Sequence, residues 1–473
     1  MTQGRTGDRR RGIRRPRVAA GALATFLVLG LATAGCDEAA PQPAPPGPSG
    51  STKPPTPTTL TFGVWGAKEE VAAYEDLVET YNAEADGTEV ELVTWPSHEA
   101  FSAAIRGVDG IEASEVPDLY LVSRGDLAGL QEAGANQPLL ELLDERGVDF
   151  SDDYARGALL AFSADSELQC MPYGISPMVI YYNTDLIDFE RMAQQGLPVP
   201  EDDLHEEWTF EQFTAAAQFA TRPRRGTRGV HIDATLAGLS PFVYSGGGKI
   251  FDDDENPTSL ALSEDDSREA LTRTLDLLRD ASLTLTDDQM VHATGVEWFK
   301  RGKLGMVAGF RELTPELRRV EGLEFDVMPM PTLDDDATVG DITGLCVSPD
   351  APSIAKAADF LVYVVSQESV ARVAAEGYLA PASLPVAVSE DFLQPTQLPA
   401  HAGVFTYSIR SMVVPPLLDD WPALERAVAE SLSDLLTVTV PDIEALTTQI
   451  DEESRAVLDP ELASPSPTDG ESG

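Results

Sequence analysis

Apolar and polar positions along this chain recur at two alternating periods. Leu60-Thr-Phe-Gly-Val-Trp65 is a short β-type run that closes at Gly66. Val71, Tyr74, Leu77, Val78 and Tyr81 then recur at helical spacing. Glu89 to Trp95 and Asp118 to Ser123 repeat the strand signal. Strand, helix, strand, helix, strand with short connections predicts a parallel α/β sheet. Ligands of such sheets sit beyond the carboxyl ends of the strands, where Trp65 and Trp95 fall, while Asp118 opens the third strand.

The same alternation returns further on. Thr209 is placed to cap a helix, Gln212 to complete the capping box and Trp208 to staple onto Phe213. Leu271, Leu275 and Leu278 mark another amphipathic helix. A turn at Arg301-Gly302-Lys303 leads into the apolar run Leu304 to Ala308, and Phe325 to Pro329 reads as a further strand. No repeat of about 20–50 residues suggests a solenoid or propeller.

Between these regions lies Leu168 to Ile187. Met178 to Tyr182 are strand formers, yet Pro172, Gly174 and Pro177 interrupt the first half. Proline removes a backbone donor and glycine admits unusual dihedrals, so regular pairing ends here. The stretch reads either as a joint between two lobes or as a kinked edge strand.

Length and charge add to this picture. A chain of 473 residues exceeds one ordinary core, so two or more lobes are expected. Residues 1–35 hold seven Arg and one acid, Asp8, followed by an uncharged run from Val18 to Gly35. A basic head, an apolar stretch and small residues make an export signal, although eighteen residues also suffice for a short membrane anchor. Thr33-Ala34-Gly35-Cys36 resembles a bacterial lipobox, with Thr33 where an aliphatic residue is usual, and Cys36 is then the lipidated residue. Arg10-Arg11-Gly12-Ile13 only partly resembles a twin-arginine signal, so the export route stays open. Taking seven from 33 basic and one from 79 acidic residues leaves 26 and 78, a net of −52. Such a chain is repelled by nucleic acid and by anionic lipid, so membrane attachment must come from acyl chains. Residues 36–58 form a Pro-rich tether, and 460–473 a fraying tail.

Five passages in order resemble the extracellular solute-binding proteins of ABC importers, the sugar-binding group that includes maltose-binding protein. They are Pro172 to Asp185, Trp208 to Phe213, Tyr244-Ser-Gly-Gly-Gly-Lys-Ile-Phe251, Phe299 to Met306 and Gly340-Asp-Ile-Thr-Gly-Leu-Cys-Val-Ser348. The resemblance runs from about Leu60 to about Pro460. It implies a two-lobed α/β fold with crossing hinge strands and a ligand cleft. The N-terminal lobe is then 59–170 with 346–400, and the C-terminal lobe 174–342 with 401–459. Hinge closure is a recognised motion of such receptors. The same resemblance suggests that Cys170 and Cys346 lie on neighbouring hinge strands, and a disulfide between them is expected in an exported protein.

A sugar site needs aromatic plates for ring faces and carboxylates or amides for hydroxyls. Trp65, Trp95, Asp118, Tyr173 and Tyr244 are the candidates, each with a bland alternative as core edge or turn cap. Family members often carry Trp where Arg311 stands. Arg311 either faces the cleft, to bind hydroxyls or an acidic sugar, or makes a surface ion pair. The five His show no metal-ligand spacing, and Phe251 to Pro257 lacks the glycine and closing Glu of a calcium loop. Ser353-Ile-Ala-Lys356 matches S-x-x-K formally but has no partner motifs and sits where Ser caps a helix. No cofactor is implied, and catalysis is not expected. The reading is a monomeric lipoprotein at the outer face of the cell membrane that delivers a carbohydrate to ABC permease subunits. A sensor or adhesion role, or a non-sugar solute, remains open.

Overall fold

The computed structural model describes residues 57–107, 110–148, 153–164, 166–201, 205–418 and 421–460. The described residues all fall within one compact unit, inside Pro55–Gly473. The signal, Cys36, most of the tether and all of the tail but its first residue lie outside the described residues. Among the described residues no helix is long and apolar enough to cross a membrane.

The strands, in chain order, are β1 (Thr58–Trp65), β2 (Thr88–Trp95), β3 (Leu119–Ser123), β4 (Ser163–Ala164), β5 (Glu167–Leu168), β6 (Met171–Pro177), β7 (Val179–Asn183), β8 (Arg228–His231), β9 (Leu304–Gly309), β10 (Phe325–Pro329), β11 (Thr338–Val347) and β12 (Met412–Val413). The first sheet runs β12-β11-β3-β1-β2, with β6 also on β11. As the alternation predicts, β1 is parallel to β2 and β3. The helices Lys68–Glu84 and His98–Ile105 follow β1 and β2. The second sheet runs β10-β7-β9-β8, and β4 with β5 makes a small hairpin.

Strand alternation divides the second sheet between two cores. Val179 and Tyr181 of β7 face the core shared with the first sheet, while Ile180 and Tyr182 face the core on the other side. That second core takes Phe213, Leu239 and Leu275 from helices Phe210–Ala220, Leu236–Ser245 and Asp265–Leu278. Helices Trp421–Thr437 and Ile443–Leu458 close it with Leu424, Val428 and Ile450. The Thr209–Gln212 capping box is formed, and Trp208 meets Phe213 edge-on with ring centroids 5.3 Å apart. Ser353 caps helix Ile354–Val364, and Lys356 Nζ reaches Thr58 Oγ1, so that pair is structural. In the acidic loop at Phe251, Asp252 and Asp253 accept from nearby backbone N–H groups.

Two strands join the sheets. β6 ends at Pro177 and β7 begins at Val179 in the other sheet, and the chain returns between Pro329 and Thr338. A division drawn from the sheets and cores therefore falls at residue 178, between 329 and 338 and again between 413 and 421, where the resemblance placed it at 170–174, 342–346 and 400–401. β6 and β11 pair antiparallel with a shift of register at Thr343/Gly344. Gly174 is required there, because a Cβ would stand 2.6 Å from Thr343 Oγ1 and 2.9 Å from Leu379 Cδ1. The strand interrupted by Pro172, Gly174 and Pro177 is thus one of the crossing pair. Cys170, just before β6, and Cys346 of β11 form a disulfide, and both are fully buried.

Candidate functional site

A cavity of about 50 Å³ opens where the crossing strands meet both lobes. Trp65 ends β1 and Glu70 lies in the first turn of helix Lys68–Glu84, so the turn after β1 turns both toward the cavity. Ser176 of β6 with Asp341 and Thr343 of β11 form the back wall. Glu312, just ahead of helix Leu313–Arg318, closes it from the second lobe. No Lys or Arg is among the walls.

The Trp65 indole N–H donates to the Leu121 carbonyl at 3.2 Å, which fixes the ring as a plate. Tyr74 also lines the cavity; it is fully buried, its ring centroid 6.2 Å from that of Tyr173. Beside the site, His98 Nε2 lies 2.5 Å from Asp126 Oδ2, and Asp126 also accepts from Ser102 at 3.0 Å and Arg106 at 3.3 Å. Burial pushes the His98 pKa down, but the Asp126 hydrogen bond and charge outweigh it and the net shift is upward.

The three carboxylates crowd one another. Burial, then the Glu312 charge, push Glu70 up to about 8. Burial, then Asp341, push Glu312 up to about 7. Burial raises Asp341 too, against the pull of His98. By area Glu312 is exposed while Glu70 and Asp341 are half-buried. They are surrounded by protein on a concave wall but open at the mouth, where solvent screens part of the repulsion. Such groups favour a ligand that gives them hydrogen bonds.

Across the mouth, Arg319 Nη1 pairs with Glu69 Oε1 at 3.0 Å, and the Tyr378 hydroxyl accepts from Arg319 at 2.8 Å and donates to Glu69 at 3.3 Å. Exposed pairs of this kind contribute about 0–1 kcal/mol, weak enough for the lobes to part. At 50 Å³ the cavity is well below the roughly 300–1,000 Å³ of ordinary ligand pockets.

Of the six residues expected at a ligand site, only Trp65 lines this cavity. Trp95 is half-buried, its ring 5.1 Å from Phe101. Asp118 stands at the amino end of β3, away from the ligand edge, and its Oδ2 accepts from Thr61 N at 2.7 Å and Thr61 Oγ1 at 2.9 Å. Tyr173 is 1% exposed, packed within β6 against Tyr74. Tyr244 is half-buried against the second core. Arg311 takes neither expected place: it is 0% exposed, neither in the cleft nor in a surface ion pair. Its guanidinium lies over the rings of Phe392 at 4.7 Å and Phe405 at 5.3 Å and donates to the Phe392 carbonyl at 3.2 Å. The cleft residue of that loop is its neighbour Glu312. Glu70, Tyr74, Ser176, Glu312, Asp341 and Thr343 escaped the sequence reading. Glu70 follows a strand end and Asp341 lies in the Gly340 to Ser348 passage, so position alone pointed to those two.

Arg311 is a buried cation whose Nε and Nη1 have no hydrogen-bond partner, and burial pulls its pKa down to about 10. A buried charge replaced by an apolar group of similar volume commonly gains stability. Arg311→Met is therefore expected to raise stability by about 1–3 kcal/mol in urea unfolding. A loss of stability on that substitution would count against this account.

The comparisons agree with this geometry. Residues 76–400 match the model of the bacterial extracellular solute-binding protein family. An ABC substrate-binding protein of Listeria monocytogenes, solved with cycloalternan, is 20% identical with a TM-score of 0.69, covering 85% of this chain and 99% of that one. The GacH receptor of Streptomyces glaucescens, solved unliganded and with acarbose, is 18% identical with a TM-score of 0.67, over 85% and 98%. The cyclic α-maltosyl-1,6-maltose binding protein of Arthrobacter globiformis is 18% identical with a TM-score of 0.66, over 85% and 99%. At these identities the likeness establishes the two-lobed binding-protein fold. No curated protein matches the chain at a significant level. With two α/β lobes, paired crossing strands, a cleft between them and a family model covering most of its length, the chain belongs to the bacterial extracellular solute-binding proteins, a family of binding proteins and not of enzymes.

Proposed function

We propose that this protein is the receptor of an ABC importer, closing its two lobes on a carbohydrate and presenting it to the permease. The observation that carries the reading is the cavity wall itself. Trp65 offers a fixed aromatic face, and Glu70, Glu312, Asp341, Ser176 and Thr343 offer acceptors for hydroxyl groups. Apolar ring faces and hydroxyl edges are what sugars present. The structural neighbours solved with cycloalternan and acarbose support the same class. The signal-like residues 1–35 and Cys36 support a lipid anchor at the outer face of the membrane. Binding energy closes the lobes, and the permease reads the closed form.

A second reading, a solute bearing an amino group, is favoured by three carboxylates with no cation on the wall. One experiment separates the two. The chain from Asp37, which keeps the Pro55–Gly473 unit whole, is melted with neutral oligosaccharides, amino sugars, sugar acids, amino acids and polyamines. A ligand at a hundred times its Kd stabilises by about 2.7 kcal/mol. A shift with neutral sugars, abolished in Trp65→Ala, supports the first reading. Shifts confined to amines support the second, and silence throughout with a cooperative melt removes both.

A further inference from the structure

Away from the cleft, two histidines and an aspartate distant in sequence meet on the second lobe. Asp326 lies on β10, opposite Tyr182 of β7. Its Oδ1 accepts from the backbone N–H of His401 and of Val327, each at 3.0 Å, which aims Oδ2 at two imidazoles. His401 Nδ1 is 2.6 Å from that oxygen, and His205 Nδ1 is 3.9 Å from it. The two imidazole rings lie 3.7 Å apart. One donor atom from each of the three residues falls within 4.8 Å of the others.

We propose that His205, Asp326 and His401 form a site for a divalent transition metal, with zinc as its type. The donor set fits, since two imidazoles and one carboxylate are the ligands of borderline metals, whereas magnesium and calcium take oxygen alone. The spacing fits as well. Tetrahedral ligands about 2.0–2.1 Å from zinc stand about 3.3–3.4 Å from one another. The observed 2.6 and 3.9 Å to Asp326 Oδ2 bracket that value, and the three donor atoms all lie within 4.8 Å of one another. An aspartate and one histidine make an ordinary buried hydrogen bond. A second imidazole, tilted 31° to the first with ring centroids 3.7 Å apart, brings its Nδ1 within 3.9 Å of the same oxygen. His205 adopts φ +60°, in the left-handed region. The backbone N–H groups on Asp326 Oδ1 are the outer contacts that orient a metal-binding carboxylate.

His205 and Asp326 are buried, while the His401 side chain is 33% exposed, so the fourth position opens on that side and takes water. The metal takes the place of the hydrogen between His401 Nδ1 and Asp326 Oδ2, and the neutral His401 imidazole then carries its proton on Nε2. Three separate segments, the loop ahead of helix Phe210–Ala220, β10 and the chain entering helix Gly403–Ser408, become one cross-linked unit. None of the three residues lines the cleft, so the site is independent of the solute reading.

The test uses the purified full chain in detergent micelles, untagged and stripped with EDTA. Zinc chloride is titrated by calorimetry, and zinc-soaked crystals are measured at the zinc absorption edge. One equivalent binding at micromolar or lower Kd, a melting temperature raised by zinc, and an anomalous peak among the three side chains are expected. His205→Asn should weaken binding at least tenfold while its melting temperature in EDTA stays near the parent's, which reports an intact fold. His292→Ala, an exposed histidine elsewhere, should bind as the parent does. Absence of stoichiometric binding, full retention in His205→Asn, or a peak elsewhere overturns the proposal.

Discussion

Replacing Cys170 and Cys346 together by alanine is expected to cost about 3–5 kcal/mol of stability. The bond joins residues 176 apart in sequence. In the chain-entropy account a loop of that size removes about 5 kcal/mol worth of unfolded-state freedom, more than most native disulfides. Both cysteines are fully buried, so lost packing adds to the deficit. The loop has a further consequence. It contains all of β7 to β10, hence the whole second sheet. While the bond holds, the second lobe can loosen without its crossings at β6–β7 and β10–β11 drifting apart. Without it, the lobes should unfold in separable steps. Urea unfolding of the chain from Asp37, followed by far-UV circular dichroism, measures both effects. A double variant with the parent midpoint and a single sharp transition would show that the bond is incidental.

Much of the fold was legible because its signals are local. A period of two or of 3.6 says which face of an element is buried, and turn chemistry says where it ends. The strand expected at Phe325 to Pro329 is β10 residue for residue, and the expected box of Thr209 and Gln212 makes both of its hydrogen bonds. The cleft was less legible because its walls come from six distant segments, around Glu70, Leu121, Ser176, Glu312, Asp341 and Leu379. Periodicity does not say which end of a strand meets the other lobe. Asp118 illustrates this: it was placed in the right strand, at the end that faces away. Arg311 and Glu312 show how little separates the outcomes. At the entry to a helix adjacent side chains diverge, so one enters the core and the next enters the cleft. The His205, Asp326 and His401 cluster was invisible for the same reason, since only packing brings its members together.

The cleft carboxylates should show opposite effects on stability and on binding. At pH 8, Glu70→Gln is expected to stabilise the ligand-free protein by about 1–2 kcal/mol, and Asp341→Asn to stabilise it in the same direction. The sign follows from their pKa directions. Both folded values lie above the unfolded ones, so the native state binds more protons and loses stability as pH rises. For Glu70 the loss begins near the ordinary carboxyl value of 4.5 and is complete above about 8. A shift that large in a closed core would convert at 1.36 kcal/mol per unit, but solvent at the mouth reduces it to the smaller figure. The neutral variants lack this slope, so their advantage should vanish by about pH 5. Glu312→Gln, whose side chain is exposed, should gain less. Affinity for the solute that the melting panel identifies should fall about 10–100-fold, because a charged acceptor contributes about 1.5–3 kcal/mol per hydrogen bond. Melting curves across pH give the first effect without any ligand, and calorimetry gives the second. A variant less stable than its parent at pH 8 would show that these acids are structural. A stabilised variant that binds at full strength would place the solute elsewhere. Both effects together would mean that the fold holds three acids in mutual repulsion that the solute relieves, so that part of the binding energy comes from the strain of the empty cleft.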